Sequence, residues 1–123
     1  MAAKSKRTHE KRFKALFRVY RGNEIALGPG KAELLGHIAG TGSISEAARR
    51  MEMSYNRAWL LVRTMNSCFR QPLVSSSRGG DKHGGAQLTK LGKEVLRLYQ
   101  QLETKFTAAT RQPVREILTR LRG

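Results

Sequence analysis

The sequence is poor in cysteine and in long apolar runs, and each shortage excludes a class of protein. A single cysteine, Cys68, rules out an intrachain disulfide or a thiolate metal cluster within one chain and favours a reducing compartment. We predict that Cys68 is a small buried apolar residue at a helix end. No stretch approaches the roughly 18 apolar residues of a membrane span, and the N-terminus lacks the apolar run of a signal peptide. A cytoplasmic protein with no membrane partner is therefore expected.

Enzyme and metal-site motifs are missing as well. His9, His37 and His83 are far apart and lack HExxH or Cys-His spacing. There is no Ser-His-Asp order, paired carboxylate or phosphate-binding loop, and Gly28-Pro29-Gly30 has too few glycines for a nucleotide fingerprint. We predict no catalytic residue, no metal site and no cofactor.

Acidic residues are scarce. Nine Asp and Glu face 24 Lys and Arg, a net charge of +15, which predicts a polyanionic partner. Nucleic acid is the first candidate and an anionic membrane surface the second. Residues 1–21 hold eight of the basic groups and one acid, Glu10. This arm either contacts phosphates or is only a solvated tail.

The first part of the chain is predicted to form a hairpin and a helix within a single domain of 123 residues. Residues 13–20 alternate with period two, most clearly a strand near 16–21, and a turn at 21–24 leads to a return strand at 25–27. Residues 31–39 then form a helix, with Pro29 in its first turn and Gly40 at its C-terminal cap.

Two short helices across a tight turn follow. Ser43 and Glu46 form a capping box that starts the first of them, and Ser54 caps the second, predicted over residues 55–66. Glu52 occupies the turn position usually given to glycine, where positive φ costs a non-glycine residue on the order of 1 kcal/mol. The inward residues of the second helix are Ala58, Leu61, Val62 and Met65. This order predicts a helix-turn-helix.

The exposed start of the second helix is the candidate DNA-reading element. Asn56 suits adenine and Arg57 suits guanine, whereas Arg63 reaches phosphate. Packing is favoured over base contact for Trp59, and the two are balanced for Tyr55. The complete set of predicted DNA-binding residues is Ser43, Ser54, Tyr55, Asn56, Arg57, Arg63, Arg78, Lys82 and His83.

A two-stranded wing comes next. Residues 72–76 and 86–88 are predicted strands, and the glycine-rich tip between them holds Arg78, Lys82 and His83. These basic groups either enter a minor groove or follow the phosphate backbone, and the alternative is a merely mobile loop.

Thr89 is predicted to cap a long amphipathic helix that continues to about residue 109. Its apolar stripe is too long for one small core to bury, so it predicts a homodimer. The stripe consists of Leu91, Val95, Leu98, Leu102 and Phe106. Pro113 is predicted to start a last short helix.

The expected fold class is mainly α with a small β wing, a winged helix-turn-helix with a long C-terminal dimerisation helix. We expect a basic, flexible arm at 1–12, a DNA-binding domain at 13–88 and a dimerisation helix with a short terminal helix at 89–123. The function predicted is that of a dimeric, sequence-specific transcriptional regulator of double-stranded DNA. The alternative is a protein-interaction or non-specific nucleic-acid-binding module. RNA binding is disfavoured because no exposed aromatic platform is evident.

The motifs at residues 28–35, 42–48, 53–59 and 84–99 resemble the N-terminal domain of ModE-type molybdenum-responsive regulators, over about residues 13–108. The resemblance implies a bacterial, LysR-like winged helix-turn-helix in which the long helix pairs two subunits. It assigns DNA recognition to residues 54–57 and to the tip at 78–83.

One departure from that family concerns its ligand. Full-length regulators of this kind continue into molybdate-binding domains, whereas this sequence stops at Gly123. We therefore expect no direct molybdate sensing. Either the protein is constitutive or partner-controlled, or it takes its signal from a separate effector-sensing protein, and the sequence favours neither.

Overall fold

The computed structural model describes residues 10–76 and 85–123. There the chain is mainly helical with two small antiparallel hairpins, an arrangement compatible with a winged helix. The elements are β1 (Val19–Arg21), β2 (Glu24–Leu27), α1 (Pro29–Thr41), α2 (Ile44–Arg50), α3 (Tyr55–Cys68), β3 (Val74–Ser76), β4 (Ala86–Leu88), α4 (Lys90–Ala109) and α5 (Arg111–Thr119). Two compact units form in the described chain: one contains the described residues of Leu16–Gln101, and the other combines residues 10–15 with Leu102–Gly123.

The first hairpin is shorter than predicted. β1 pairs with β2 from Val19 opposite Leu27 to Arg21 opposite Glu24, and Gly22 makes the turn with φ of 63°. The prediction of a strand over residues 13–18 is wrong, because β2 has only four residues available for pairing before α1 begins at Pro29. Alternating side chains indicate a strand only where a partner strand runs alongside.

Helix α1 ends later than its sequence suggests. Pro29 is at its start as predicted, but the cap is Gly42, with φ of 72°, and not Gly40. The Gly42 amide donates to the Ile38 carbonyl at 2.8 Å. Both glycines suit a helix end, and the left-handed residue is the one that turns the chain into α2.

The core of the larger unit lies where α1, α2 and α3 meet, with β2 against α3 and β4 against α1. Its polar content is negligible, since the described residues include no buried polar or charged side chain. The largest fully buried side chains are Leu34, Leu35, Ile38, Val62, Met65 and Leu73. Burial of each large apolar side chain stabilises the fold by about 1.5–3 kcal/mol.

Helix α4 joins this core through its first two and a half turns. Thr89 caps it as predicted, accepting the Gly92 amide at 3.0 Å. Gly92 lies so close to the Leu73 backbone that a Cβ atom would be 3.0 Å from its carbonyl carbon. Buried Tyr99 donates its hydroxyl to the Phe17 carbonyl at 2.9 Å and thereby fixes the segment before β1.

The smaller unit contains the end of α4 and helix α5. Its rings Phe13 and Phe106 stack with centroids 6.3 Å apart. Helix α5 begins at Arg111, two residues before the predicted start at Pro113. A proline is tolerated there because the amides of the first helical turn have no partner within the helix.

Candidate nucleic-acid interface

The start of α2 confirms half of the predicted capping box. The Ser43 hydroxyl accepts the Glu46 amide at 3.0 Å. The reciprocal bond from the Glu46 side chain is not the one that forms, because the Ser43 amide donates to the Thr41 hydroxyl at 3.2 Å. The Glu46 carboxylate instead lies 3.5 Å from Arg49. Ser43 is half-buried, so its hydroxyl serves chiefly to start the helix.

The turn between α2 and α3 is held by backbone bonds. Glu52 has a φ of 56°, the only positive φ of a non-glycine residue in the described ranges, which confirms the expectation from the missing glycine. The Met53 amide donates to the Ala48 carbonyl at 3.0 Å. Ala47 and Ala48 are fully or almost fully buried. Small side chains there let α2 and α3 approach closely.

Helix α3 presents its first turn to solvent. The Ser54 hydroxyl accepts the Arg57 amide at 3.1 Å, so Ser54 caps the helix as expected. Tyr55 is 50% exposed, and Asn56 and Arg57 are also exposed. The helix N-terminus carries partial positive charge, which adds to the Arg57 guanidinium. This turn therefore combines hydrogen-bonding side chains with a potential that attracts anions.

The inward and outward faces of α3 are clearly separated. Ala58, Val62 and Met65 are fully buried, whereas the predicted fourth inward residue, Leu61, is half-buried. Arg63 lies on the exposed side. Trp59 retains 36% exposure, so the packing role favoured for it covers only part of its ring.

The outward face also contains an apolar residue that the sequence analysis overlooked. Leu60 is 58% exposed, in the middle of α3. The signal for it was available, because Leu60 is out of phase with the inward positions 58, 62 and 65.

Asn66 is a second residue that the sequence analysis missed. Its side-chain oxygen accepts the amides of Leu73 at 2.8 Å and Val74 at 3.1 Å. Its side-chain nitrogen donates to the Val74 carbonyl at 3.1 Å. This clamp ties the last turns of α3 to β3. No sequence pattern marks it, because the three bonded groups become neighbours only after folding.

The β3–β4 hairpin follows directly. Val74 faces Leu88 and Ser76 faces Ala86, and the Ala86 amide donates to the Gly42 carbonyl at 2.9 Å. The predicted strand pair is confirmed, although β3 begins at Val74. Arg78, Lys82 and His83 lie outside the described residues. The hairpin base therefore fixes where the tip leaves the domain, next to the start of α2.

Basic side chains outnumber acidic ones around the two helices. Arg49, Arg50, Arg57 and Arg63 are exposed, whereas the acids on α2 and the turn after it are Glu46 and Glu52. Glu46 is within 3.5 Å of Arg49, in an exposed pair that contributes little to stability. The surface formed by α2 and α3 is positively charged and suits a polyanion.

The predicted dimerisation stripe on α4 is buried unevenly. Leu91 and Val95 are half-buried and pack against the core. Leu98 remains 49% exposed and Leu102 43% exposed. Phe106 is half-buried, on the stacked pair with Phe13. Three of the five stripe residues are thus partly buried within the described chain, and Leu98 and Leu102 are exposed.

Cys68 is half-buried and not the fully buried residue predicted. It ends α3, and its thiol donates to the Glu24 carboxylate at 3.5 Å. Burial and the neighbouring Glu24 raise the pKa of Cys68. The thiol therefore stays protonated, which opposes nucleophilic chemistry.

The described parts of the chain contain neither a membrane-spanning helix nor a cluster of metal-ligand side chains. No helix there is both long enough and apolar enough to cross a bilayer. No group of three or more His, Cys, Asp or Glu side chains is arranged to hold a metal ion within residues 10–76 and 85–123.

Comparison with known proteins gives the chain its relatives. No protein-family model matches it. It is 38% identical to the molybdenum transport protein ModE of Azotobacter vinelandii over 84 residues, 68% of this chain and 31% of that protein. It is 40% identical to the DNA-binding transcriptional dual regulator ModE of Escherichia coli K12 over 74 residues, 60% of this chain and 28% of that protein. The resemblance to ModE-type regulators is confirmed.

A further relative of the same group is the molybdenum-pterin-binding protein MopB of Rhodobacter capsulatus, 40% identical over 77 residues, which are 63% of this chain and 28% of MopB. The similarity to ModE proteins lies in their N-terminal region. The chain spans about 30% of the length of these curated relatives. These relatives are named as regulators and as molybdenum-related transport or binding proteins.

Proposed function

We propose that the chain is a sequence-specific DNA-binding transcriptional regulator built on a winged helix-turn-helix. The observation that supports this most is the exposed, serine-capped first turn of α3, braced against α2 through the strained turn at Glu52. Such a turn is the part of a recognition helix that meets base edges in a major groove. The similarity to a relative named as DNA-binding points the same way.

The proposed roles follow from exposure and chemistry. Asn56 offers the paired donor and acceptor that match adenine, and Arg57 offers two donors that match guanine. Arg63, two turns further along α3, contacts phosphate. The hydroxyls of Ser43 and Ser54 accept the hydrogen bonds that cap α2 and α3. These serines therefore contribute to DNA binding through the backbone positions that they fix. Tyr55 is exposed enough to reach a base or a sugar.

The tip of the second hairpin is proposed as the wing. The strand pair at its base, Ser76 and Ala86, lies beside the start of α2. We propose that Arg78, Lys82 and His83 contact the phosphate backbone or a minor groove next to the site read by α3. The basic segment 1–12 would add contacts without sequence preference.

A homodimer is proposed through α4. Leu98 and Leu102 are four residues apart and expose apolar surface that the described chain does not cover. Leucines at this spacing on two facing helices bury each other, as in a short coiled coil. In this proposal residues 13–88 read DNA and residues 89–123 hold the dimer, so the preferred site is a pair of inverted half-sites.

The names of the relatives support a molybdenum-related setting for this regulation in a bacterial cytoplasm. We propose that the protein is either constitutive or partner-controlled, or takes its signal from a separate effector-sensing protein.

The decisive experiment is fluorescence anisotropy of the full chain on duplexes selected from a randomised pool, with bulk DNA as competitor. We expect a palindromic site to win by about a thousandfold or more. Affinity for it should fall steeply between about 50 and 200 mM salt, because phosphate contacts release counterions.

The matched variant for this experiment is Arg57→Ala. Loss of a guanine contact should cost roughly 1–3 kcal/mol and relax preference at a single position. A uniform loss on every sequence would make Arg57 a phosphate contact. Sequence-blind binding by the unmodified chain would contradict the proposal and favour an interaction or non-specific module.

A further inference from the structure

We infer that Leu60 reads a thymine methyl group, and so sets part of the sequence preference of this protein. The inference rests on the proposed function, since it places α3 in a major groove. The thymine C5-methyl group lies in that groove and is read by apolar contact.

Leu60 lies on the outward face of α3. Asn56, Leu60 and Arg63 follow one another at steps of four and three residues, which puts them on one face of α3. All three are exposed. The opposite face, with Ala58, Val62 and Met65, is fully buried. Leu60 is therefore at the centre of the face that points away from the core.

This outward face combines polar side chains with one apolar side chain. Asn56 and Arg63 carry amide and guanidinium groups suited to base edges and phosphates, whereas Leu60 has no hydrogen-bonding atom. Helices α1 and α2 and strand β2 pack against α3. Leu60 is 58% exposed, so contact with the wall of a groove would remove apolar surface from water.

The thymine methyl is the apolar group that lines a major groove. Contact between it and an aliphatic side chain removes apolar surface from water and leaves no donor or acceptor of a base unpaired. A leucine one turn from Asn56 would thus read a thymine near the base contacted by Asn56.

The experiment uses duplexes that carry the selected site, in which each thymine in turn is replaced by uracil. This change removes only the methyl group and preserves every hydrogen bond of the base pair. We expect the unmodified chain to lose about fourfold in affinity at one or two positions, the value of one buried carbon group. Uracil outside the site should have no effect.

Leu60→Ala identifies the protein partner of the methyl group. This variant should bind the thymine and uracil duplexes equally at those positions while keeping its preference at all others. Leu16→Ala is the matched control, because Leu16 is 51% exposed and lies outside α3. It should retain the fourfold difference.

The outcomes separate this inference from the proposed function. A strong selected site without any uracil effect would overturn the role of Leu60 and leave the regulator intact. A uracil effect that survives in Leu60→Ala would assign the methyl contact to another residue. Failure to select any site would overturn both.

Discussion

Helices α3 and α4 carry apolar stripes of similar spacing, and the structure treats them differently. On α3, Ala58, Val62 and Met65 are fully buried against α1, α2 and β2. On α4, Leu98 and Leu102 keep 49% and 43% of their surface exposed. The first stripe is satisfied within the described chain, and the second is not. An amphipathic pattern thus predicts that a face is covered without saying which molecule covers it.

The largest predicted effect concerns the buried face of α3. Met65→Ala removes a fully buried side chain and should lower the free energy of unfolding by roughly 2–5 kcal/mol. Urea denaturation measures this. Leu60→Ala, on the exposed face of the same helix, is the control and should change stability by less than about 0.5 kcal/mol. Equal losses would mean that the two faces of α3 are not separated as described.

A second prediction concerns the point where α4 meets the core. Gly92→Ala places a Cβ atom against the Leu73 backbone and should destabilise the fold by roughly 1–3 kcal/mol. Gly40→Ala is the matched control, because its Cβ atom would meet nothing within 4 Å in α1. It should stabilise the protein by about 0.5–1 kcal/mol. Thermal unfolding of both variants would show opposite shifts.

The two exposed leucines of the α4 stripe give the third prediction. Leu98→Asp puts a carboxylate in the proposed dimer interface and should weaken association at least tenfold, about 1.4 kcal/mol. Sedimentation over a range of concentrations measures the dimer fraction. Gln100→Asp introduces the same charge on the far side of α4 and should leave association unchanged. A chain that is monomeric at micromolar concentration before any substitution would contradict the interface.

The turn before α3 gives the smallest effect. Glu52→Gly removes the strain of a positive φ and should stabilise the protein by about 1 kcal/mol, less the entropy that glycine adds to the unfolded state. Glu52→Ala, which keeps the strain, is the control. If glycine left the fold less stable than alanine does, the entropy that glycine adds to the unfolded state would outweigh the strain of the positive φ, and the prediction would be wrong.

The features that the sequence predicted well are those decided within a few residues. The serine caps of α2 and α3, the threonine cap of α4 and the strained Glu52 all follow from short-range geometry. The inward stripe of α3 follows from its period. The base of the second hairpin was also predicted, because alternating residues flank a run rich in glycine.

The features that the sequence did not predict depend on partners distant along the chain. The strand at 13–18 has the right alternation but no neighbouring strand, and Gly40 and Gly42 are equally suited to end α1 until α2 is placed. The predicted hydrogen bond between the Glu46 side chain and the Ser43 amide does not form, because that amide donates to the Thr41 hydroxyl instead. In the candidate interface, the exposed set on α3 was predicted from periodicity, but Leu60 was missed because apolar residues were assigned to the core.

The Asn66 clamp has a mechanical consequence for any DNA that the protein binds. Three hydrogen bonds join the end of α3 to Leu73 and the start of β3, so they oppose movement of the helix relative to the root of the hairpin. A helix and a hairpin joined in this way could adjust little when the spacing between the contacted grooves varies. The duplex would have to supply the adjustment, so flexible steps between the two contacted grooves would bind better than stiff ones.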